Sequence, residues 1–235
     1  MTNIVDMVYN RVKAVMSGWN DGNIYAVSFF IDSNESISYD GHSNVSEFAV
    51  SYNTEDFCGN AGKYDEERWN YAFWSQDSEP IINPCEPDEL IKALYQWYSE
   101  NGIKNIGFED DTNSYNENGE YIGKGPVGHY ELLNIAAEVA ERLQKEGFLK
   151  NKFGKTIPII VHGLEYAWYD IEATKKANSN GEADDFLTYI NQPVSSEFEL
   201  SDDYYNKFIS GEAHKELEEL VKQMLDKYPN LKNPQ

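Results

Sequence analysis

Residues 156–176 constrain the fold more than any other stretch of the chain, because a short strand pattern there runs almost directly into a helical pattern. Residues 157–161 are mostly β-branched, which is typical of a strand covered on both faces. His162 and Gly163 follow as a turn. From Leu164 the apolar residues recur with a helical period, so the stretch predicts a buried strand, a turn that carries a histidine, and a helix.

The periodicity of the rest of the chain predicts an α+β domain with an antiparallel sheet of about four to six strands and helices packed on it. Strand patterns cover residues 24–31, 34–41, 45–53, 68–74 and 103–108. Helical patterns cover residues 4–16, 88–101 and 126–147. The turns between the first three strand patterns are short, which favours antiparallel pairing. The aromatic residues 68–74 are also compatible with a short helix.

We expect a core domain over residues 1–190 and an acidic helical C-terminal extension over residues 191–235 that packs on the core. Between residues 182 and 219 there are eleven acidic residues, against Lys207 and Lys215. Such an excess either keeps the protein in solution or provides a face for a basic partner. The amphipathic pattern of residues 212–228 leaves self-association as a further alternative.

The overall charge limits the classes of partner. Acidic residues outnumber basic ones 41 to 19, and the net charge is −22. A field of this sign repels nucleic-acid phosphates, so we expect no nucleic-acid partner and favour a basic protein. No apolar run approaches the ~20 residues that span a bilayer, and the N-terminus does not read as a secretory signal, so we expect no membrane association and a cytoplasmic location. Cys58 and Cys85 are expected to be free thiols.

The strongest candidate for chemistry lies at the turn after the strand pattern. His162, Glu165 and Glu172 supply the imidazole and carboxylate groups that a metal-assisted hydrolase needs. Further groups of the same kind are Asp170, His129 and Glu131. The spacing does not place His162 and Glu165 on one helical face, as an H-E-x-x-H motif would. The alternative is structural, with the histidine hydrogen-bonded to the turn and the carboxylates solvated.

No cofactor and no bound metal are predicted. The chain has neither a G-x-S-x-G nucleophile motif nor a G-x-x-x-x-G-K-[ST] phosphate loop. The Asn-rich and Asp-rich residues 109–125 lack the glycine and glutamate that an EF-hand requires. An aromatic set either joins the core or lines a groove for a peptide or sugar, and it comprises Trp69, Tyr71, Phe73 and Trp74.

Four segments in matching order across residues 1–190 resemble the bacterial family called domain of unknown function 4303. They are the strand IYAVSFFI, the segment FAVSYNTED, the aromatic run RWNYAFW, and the block from HYELLNIAAEVAERLQKEGF to IPIIVHGLEYAWYDIEAT. Such families occur in bacterial genomes beside contact-dependent and polymorphic toxin systems, so the resemblance implies an immunity-like role. It brings no accepted catalytic residues, and none is transferred to this chain.

Together these observations predict a non-catalytic binding protein, immunity-like, that neutralises a basic toxin through its acidic surface. The expected binding face comprises Asp184, Asp185, Asp202, Asp203, Glu216 and Glu219. Electrostatic steering would speed association with a cationic toxin and would weaken as salt is added. The metal-assisted hydrolase built on His162 is the alternative function.

Overall fold

The computed structural model describes residues 3–75, 77–110 and 114–192, together with residues 207, 210–211, 214–215, 219 and 222–223. The chain forms two compact units, Met1–Asn191 and Gln192–Gln235. In the second unit the described residues 207, 214–215, 219 and 222–223 are helical. The expected packing of the extension on the core stays a prediction.

A four-stranded mixed sheet organises the first unit. Its strands are β1 (Ile24–Ser33), β4 (Ser46–Thr54), β5 (Glu79–Ile82) and β6 (Ile159–His162), in the order β5-β4-β1-β6. Strand β4 is antiparallel to β1 and β5, whereas β6 is parallel to β1. The chain between β1 and β4 adds a small hairpin of β2 (Ser38–Tyr39) and β3 (His42–Ser43).

The predicted α+β class is confirmed, but the prediction of a purely antiparallel sheet is wrong. Between β5 and β6 the chain passes through α4 (Glu89–Glu100), α5 (His129–Lys145) and α6 (Phe148–Phe153). A crossover of this length lets the returning strand pair in parallel, which a tight turn does not allow. As a result, the carboxyl ends of β1 and β6 lie at the same edge of the sheet.

One face of the sheet is covered by a layer of longer helices, α1 (Ile4–Ser17), α4, α5 and α7 (Trp168–Ala177). Helix α1 begins where the side chain of Asn3 accepts a hydrogen bond from the N–H of Val5. The sheet contributes apolar side chains to this core from alternate positions: Val27, Phe29, Ile31, Ile159 and Val161. The alternation is what places Ser28, Phe30 and His162 on the opposite face.

The opposite face carries short helices, where the sequence favoured a strand at residues 68–74. Following α2 (Glu55–Cys58), these residues form the end of α3 (Glu66–Trp69) and a 3-10 helix at Tyr71–Phe73. The side chain of Asn70 accepts from the N–H of Ala72 and so begins the 3-10 turn. Trp69, Tyr71 and Trp74 pack against α8 (Asp184–Ile190) and the sheet in a second core, whereas Phe73 is exposed. Local capping therefore outweighs the aromatic β-propensity here.

Residues 103–108, predicted as a strand, form a loop that docks on the β2–β3 hairpin. Gly107 lies so close to the hairpin that a Cβ atom on it would be 1.8 Å from the carbonyl oxygen of Ser43, and its φ is +81°. The Asn44 side-chain amide donates to the Gly107 carbonyl at 3.3 Å. No residue with a Cβ atom can occupy position 107 without moving the hairpin. The close contact with the hairpin therefore outweighs the strand preference of residues 103–108.

We expect Gly107→Ala to destabilise the first unit by more than about 2 kcal/mol, because the methyl group would collide with backbone in addition to straining φ. Gly102→Ala is the matched control. Gly102 also has a positive φ of +71°, but nothing lies within 4 Å of the added Cβ. It should cost only about 1 kcal/mol. Urea unfolding of both variants measures the difference, and equal losses would show that the close approach is not a constraint.

The helix expected from Leu164 begins instead at Trp168. Residues 163–167 form a loop, and Leu164 is exposed rather than directed inward. The helix starts late because the Asp170 side chain accepts from the N–H of Ala167, which fixes the first turn there. Cys58 and Cys85 are both free thiols, as predicted. None of the helices in the described part of the chain has the length and apolar character of a bilayer-crossing segment.

Candidate functional site

An open cleft of about 720 Å³ lies at the edge of the sheet where the parallel strands β1 and β6 end. Its walls come from the last residues of β1, from the loop and first turn of α7 that follow β6, and from positions between 109 and 129. Ligands of sheets with parallel strands commonly bind at this edge, outside the carboxyl ends. We call it the strand-end cleft.

The carboxylates that line the strand-end cleft come from separate parts of the chain. They are Asp32 at the end of β1, Glu109 before α5, Glu165 in the loop after β6, and Asp170 in α7. Within the described residues, no lysine or arginine lines the cleft. A cleft with walls of one charge concentrates its potential, so this one favours a cationic ligand.

Asp170 is the most buried of these acids, with 2% of its surface exposed. Its Oδ2 accepts from the N–H of Ala167 at 2.9 Å. Its Oδ1 is buried and has no partner at hydrogen-bonding geometry. Burial raises the pKa of Asp170 to about 7, and the backbone amides of Ala167 and Gly163 only partly oppose this. A buried carboxyl with one open oxygen costs the fold stability, which is characteristic of groups that serve a ligand.

Asp32 of the strand-end cleft has a carboxylate neighbour on strand β4. Asp32 is directly opposite Glu47 in the strand register, and both residues are half-buried. Burial raises the pKa of each, and the charge of Asp32 further raises the pKa of Glu47. Like charges directly opposite each other destabilise a sheet. No salt bridge among the described residues involves either side chain, and Asp32 of this pair lines the strand-end cleft.

His129, the first residue of α5, adds no opposing positive charge to the strand-end cleft. Its Nδ1 lies 3.2 Å from the Oγ of Ser46, and its ring packs edge-on against Tyr169 with 5.7 Å between centroids. Burial lowers the pKa of His129 to about 4. The ring is therefore neutral at physiological pH and acts as an aromatic wall.

Two of the residues that line the strand-end cleft are exposed apolar side chains. Leu164 and Tyr115, which line it, are 74% and 62% exposed. Exposed apolar groups that flank a charged recess are typical of a protein-binding surface.

The structure separates the residues of the predicted hydrolase site. His162 is fully buried at the end of β6, with Nε2 2.8 Å from the Oγ of Ser28 and Nδ1 2.8 Å from the carbonyl oxygen of Gly163. Since a carbonyl only accepts, Nδ1 carries the proton and Nε2 accepts from the serine. Glu165 and Glu172 are both exposed. Among the residues that the structure describes, no three His, Cys, Asp or Glu side chains are placed to hold a metal ion.

The remaining predicted residues have other surroundings. Glu131 accepts from the N–H of Gly128 at 3.1 Å and so caps α5. In the predicted acidic face, Asp184 is exposed and Asp185 forms a salt bridge of 2.9 Å with Lys63. Glu219 is exposed in the second unit. Asp202, Asp203 and Glu216 lie outside the described residues, and the binding role of this face stays a prediction.

Sequence reasoning missed Asp32 and Glu109 as lining residues of the cleft, and it missed Glu47, the strand partner of Asp32. A usable signal was present for Asp32 and Glu47. Asp32 ends an apolar strand pattern, and Glu47 begins the strand pattern that pairs with it. Two acids at the paired ends of neighbouring strands indicate a local excess of negative charge. Glu109 reaches the cleft only through the path of a long loop, which periodicity does not reveal.

No family model, no curated protein and no solved structure matches the chain. The resemblance to the domain of unknown function 4303 family therefore stays a prediction.

Proposed function

We propose that this protein is a non-catalytic binding protein that captures a basic segment of a partner protein in the strand-end cleft. The observation that carries the proposal is that four carboxylates and the exposed apolar residues Tyr115 and Leu164 line the cleft, with no lysine or arginine among its described lining residues. Where the partner is a toxin, capture of this kind would give the immunity-like role that the family resemblance implies.

The charge of the whole chain supports the proposal. A net charge of −22 accelerates encounter with a cationic partner over a distance of about one Debye length, roughly 8–10 Å at ordinary salt. The strand-end cleft then supplies the selective contacts, because its lining combines carboxylates on separate elements with exposed apolar residues. Steering sets the association rate and the cleft sets the dissociation rate.

Two variants of equal charge, compared at a pH above the raised pKa of Asp170, test the proposal. Asp32→Asn with Asp170→Asn alters the cleft, and Glu172→Gln with Asp184→Asn alters exposed acids outside it. We expect a basic protein, identified by mass spectrometry from an extract of the native host, to bind the wild type and the second variant. Binding to the cleft variant should be at least about tenfold weaker, since truncating one side of a buried charge pair costs about 2 kcal/mol or more.

Surface plasmon resonance with the identified partner completes the test. Affinity for the wild type should fall as salt is raised, mainly through a slower association rate. Equal affinity of both charge-matched variants would place the contact elsewhere on the acidic surface, and it would contradict binding in the strand-end cleft.

A second candidate function, acid–base chemistry on a cationic substrate, is favoured by one observation. The pKa of Asp170 is raised to about 7, which is suited to proton transfer at neutral pH. Mass spectrometry of a bound basic peptide after long incubation separates the two functions. A binding protein returns the peptide unchanged, whereas an enzyme alters its mass in a reaction that Asp170→Asn abolishes.

A further inference from the structure

We infer that the strand-end cleft selects a lysine side chain of the partner over an arginine side chain, with Asp170 as the carboxylate that seats the ammonium group. This inference rests on the proposed function and specifies its ligand. It follows from the number of open carboxylate oxygens, their distribution around the cleft, and the aromatic lining.

Asp170 offers one of its two carboxylate oxygens to a ligand. Its Oδ2 is occupied by the N–H of Ala167 at 2.9 Å, and that bond also begins α7. The backbone amide of Gly163 lies near the carboxyl group and lowers its pKa, but no hydrogen bond of normal geometry reaches Oδ1. A guanidinium binds carboxylates best through two parallel N–H···O bonds, which need both oxygens. An ammonium is a compact charge that is satisfied by one oxygen from each of several groups.

The distribution of the other acids also suits an ammonium group. Asp32 lies at the end of β1 and Glu165 in the loop after β6, so the carboxylates approach the cleft from different elements. The three donors of an ammonium diverge in three directions and match acceptors that surround them. The planar fork of arginine matches acceptors that lie side by side in one plane.

The aromatic lining of the cleft suits the hydrocarbon stem of a lysine side chain. The cleft is lined by the rings of Tyr115, Tyr121, Trp168 and Tyr169. Tyr115 and Tyr121 pack edge to face with 5.4 Å between centroids, and Trp168 is held by a bond of 2.9 Å from its Nε1 to the carbonyl of Gly123. Fixed aromatic rings cover an alkyl stem and attract a cation to their faces.

Access to Asp170 has a structural requirement. Because Oδ1 is buried, a side chain of the lining has to move before an ammonium can reach it. Leu164 is 74% exposed and sits in the short loop between β6 and α7, so it has little packing to lose. The requirement favours a slender alkyl chain over the wider guanidinium head.

Three capped synthetic peptides test the inference, identical and neutral except for a central lysine, arginine or norleucine. Calorimetry at a pH above the raised pKa of Asp170 measures their affinities for the wild type. We expect the lysine peptide to bind about tenfold more tightly than the arginine peptide, and norleucine to bind weakest. Asp170→Asn should remove the preference, whereas Glu172→Gln should bind as the wild type does.

The outcomes distinguish this inference from the proposed function. If arginine binds as tightly as lysine or more tightly, and Asp32→Asn still weakens both peptides, the lysine preference is overturned and capture of a basic segment stands. If neither charged peptide binds better than norleucine, both are overturned. A lysine preference that survives in Asp170→Asn would overturn the assignment of Asp170 as the seat.

Discussion

Replacing Asp170 with asparagine is expected to stabilise the protein and to weaken its capture of a basic segment. Burial raises the pKa of Asp170 from 3.8 to about 7. This difference of about three pH units corresponds to about 4 kcal/mol, since one unit is about 1.4 kcal/mol. The folded state is less stable by that amount at neutral pH because it holds a carboxyl group that prefers to be neutral. Asparagine is neutral at every pH and removes the loss.

The stability that Asp170→Asn gains over the wild type depends on pH. Below the unfolded-state pKa of 3.8 the carboxyl group is protonated in both states, and the variant gains little. As the pH rises towards about 7, the unfolded chain ionises while the folded state resists, so the wild type loses stability. Above about 7 both states are ionised and the loss is constant. The stability difference between Asp170→Asn and wild type should therefore grow through this window and then remain flat.

Urea unfolding at a series of pH values measures the effect. Asparagine keeps an oxygen for the N–H of Ala167, so the start of α7 is preserved. Glu172→Gln, on the same helix and exposed, is the control and should change stability by less than about 0.5 kcal/mol. If Asp170→Asn is less stable than wild type at every pH, the carboxylate is a cap that complements the helix dipole, and its role as a ligand seat loses its main support.

A substitution that stabilises the protein but weakens binding indicates that the wild-type residue is retained for its function. Residues that are retained at a cost to stability are typical of sites where function needs a strained or desolvated group. The Asp32 and Glu47 pair belongs to the same class, because two half-buried acids face each other without a cation among the described residues. Burial raises the pKa values of all three carboxyl groups at this edge of the sheet, and the proposed binding of a cationic segment would account for their retention.

Periodicity was sufficient for the parts of the fold that local patterns control. The apolar stripes of α1, α4 and α5 and the strand pattern of β1 each bury the residues that their spacing indicates. The direction of β6 was not accessible in this way. A strand has the same side-chain pattern in either direction, and only the crossover through α4 to α6 decides that β6 runs parallel to β1.

The sequence also did not reveal the strand-end cleft, because the cleft depends on the direction of β6. An antiparallel neighbour would place the ends of β1 and β6 at opposite edges, so Asp32 and Asp170 could not be assigned to one site. The start of α7 added a second difficulty. Leu164 fits the helical stripe, yet the bond from the N–H of Ala167 to Asp170 starts the helix four residues later and opens the loop. This capping contact thus leaves residues 163–167 as a loop that forms part of the cleft wall.

His162→Ala is expected to destabilise the first unit by about 3 kcal/mol and to leave binding of a basic peptide unchanged. The substitution removes the acceptor of the Ser28 hydroxyl, which is buried, and an unsatisfied group of this kind costs about 1–2 kcal/mol. It also leaves a cavity among the rings of Phe30, Tyr71 and Tyr166, and the lost packing supplies the rest.

The stability of the wild type and of His162→Ala at acidic pH gives an independent measurement of the role of His162. Burial lowers the pKa of His162 from 6.5 to about 4. As the pH falls through this interval the unfolded histidine takes up a proton and the folded one does not, so the wild type loses up to about 3 kcal/mol. The alanine variant lacks this loss, and the stability difference between variant and wild type should narrow as the pH is lowered. Contributions from Asp170 and His129 are common to both proteins and cancel.

Double-mutant analysis with Ser28→Ala then separates a structural role of His162 from a catalytic one. A structural pair gives a coupling energy of about 1 kcal/mol or more, because each single variant strands the other buried partner. A hydrolase that depends on His162 would instead keep its stability in His162→Ala and lose turnover. The burial of the ring favours the first result, and so do its bonds to Ser28 and Gly163, because they occupy both ring nitrogens.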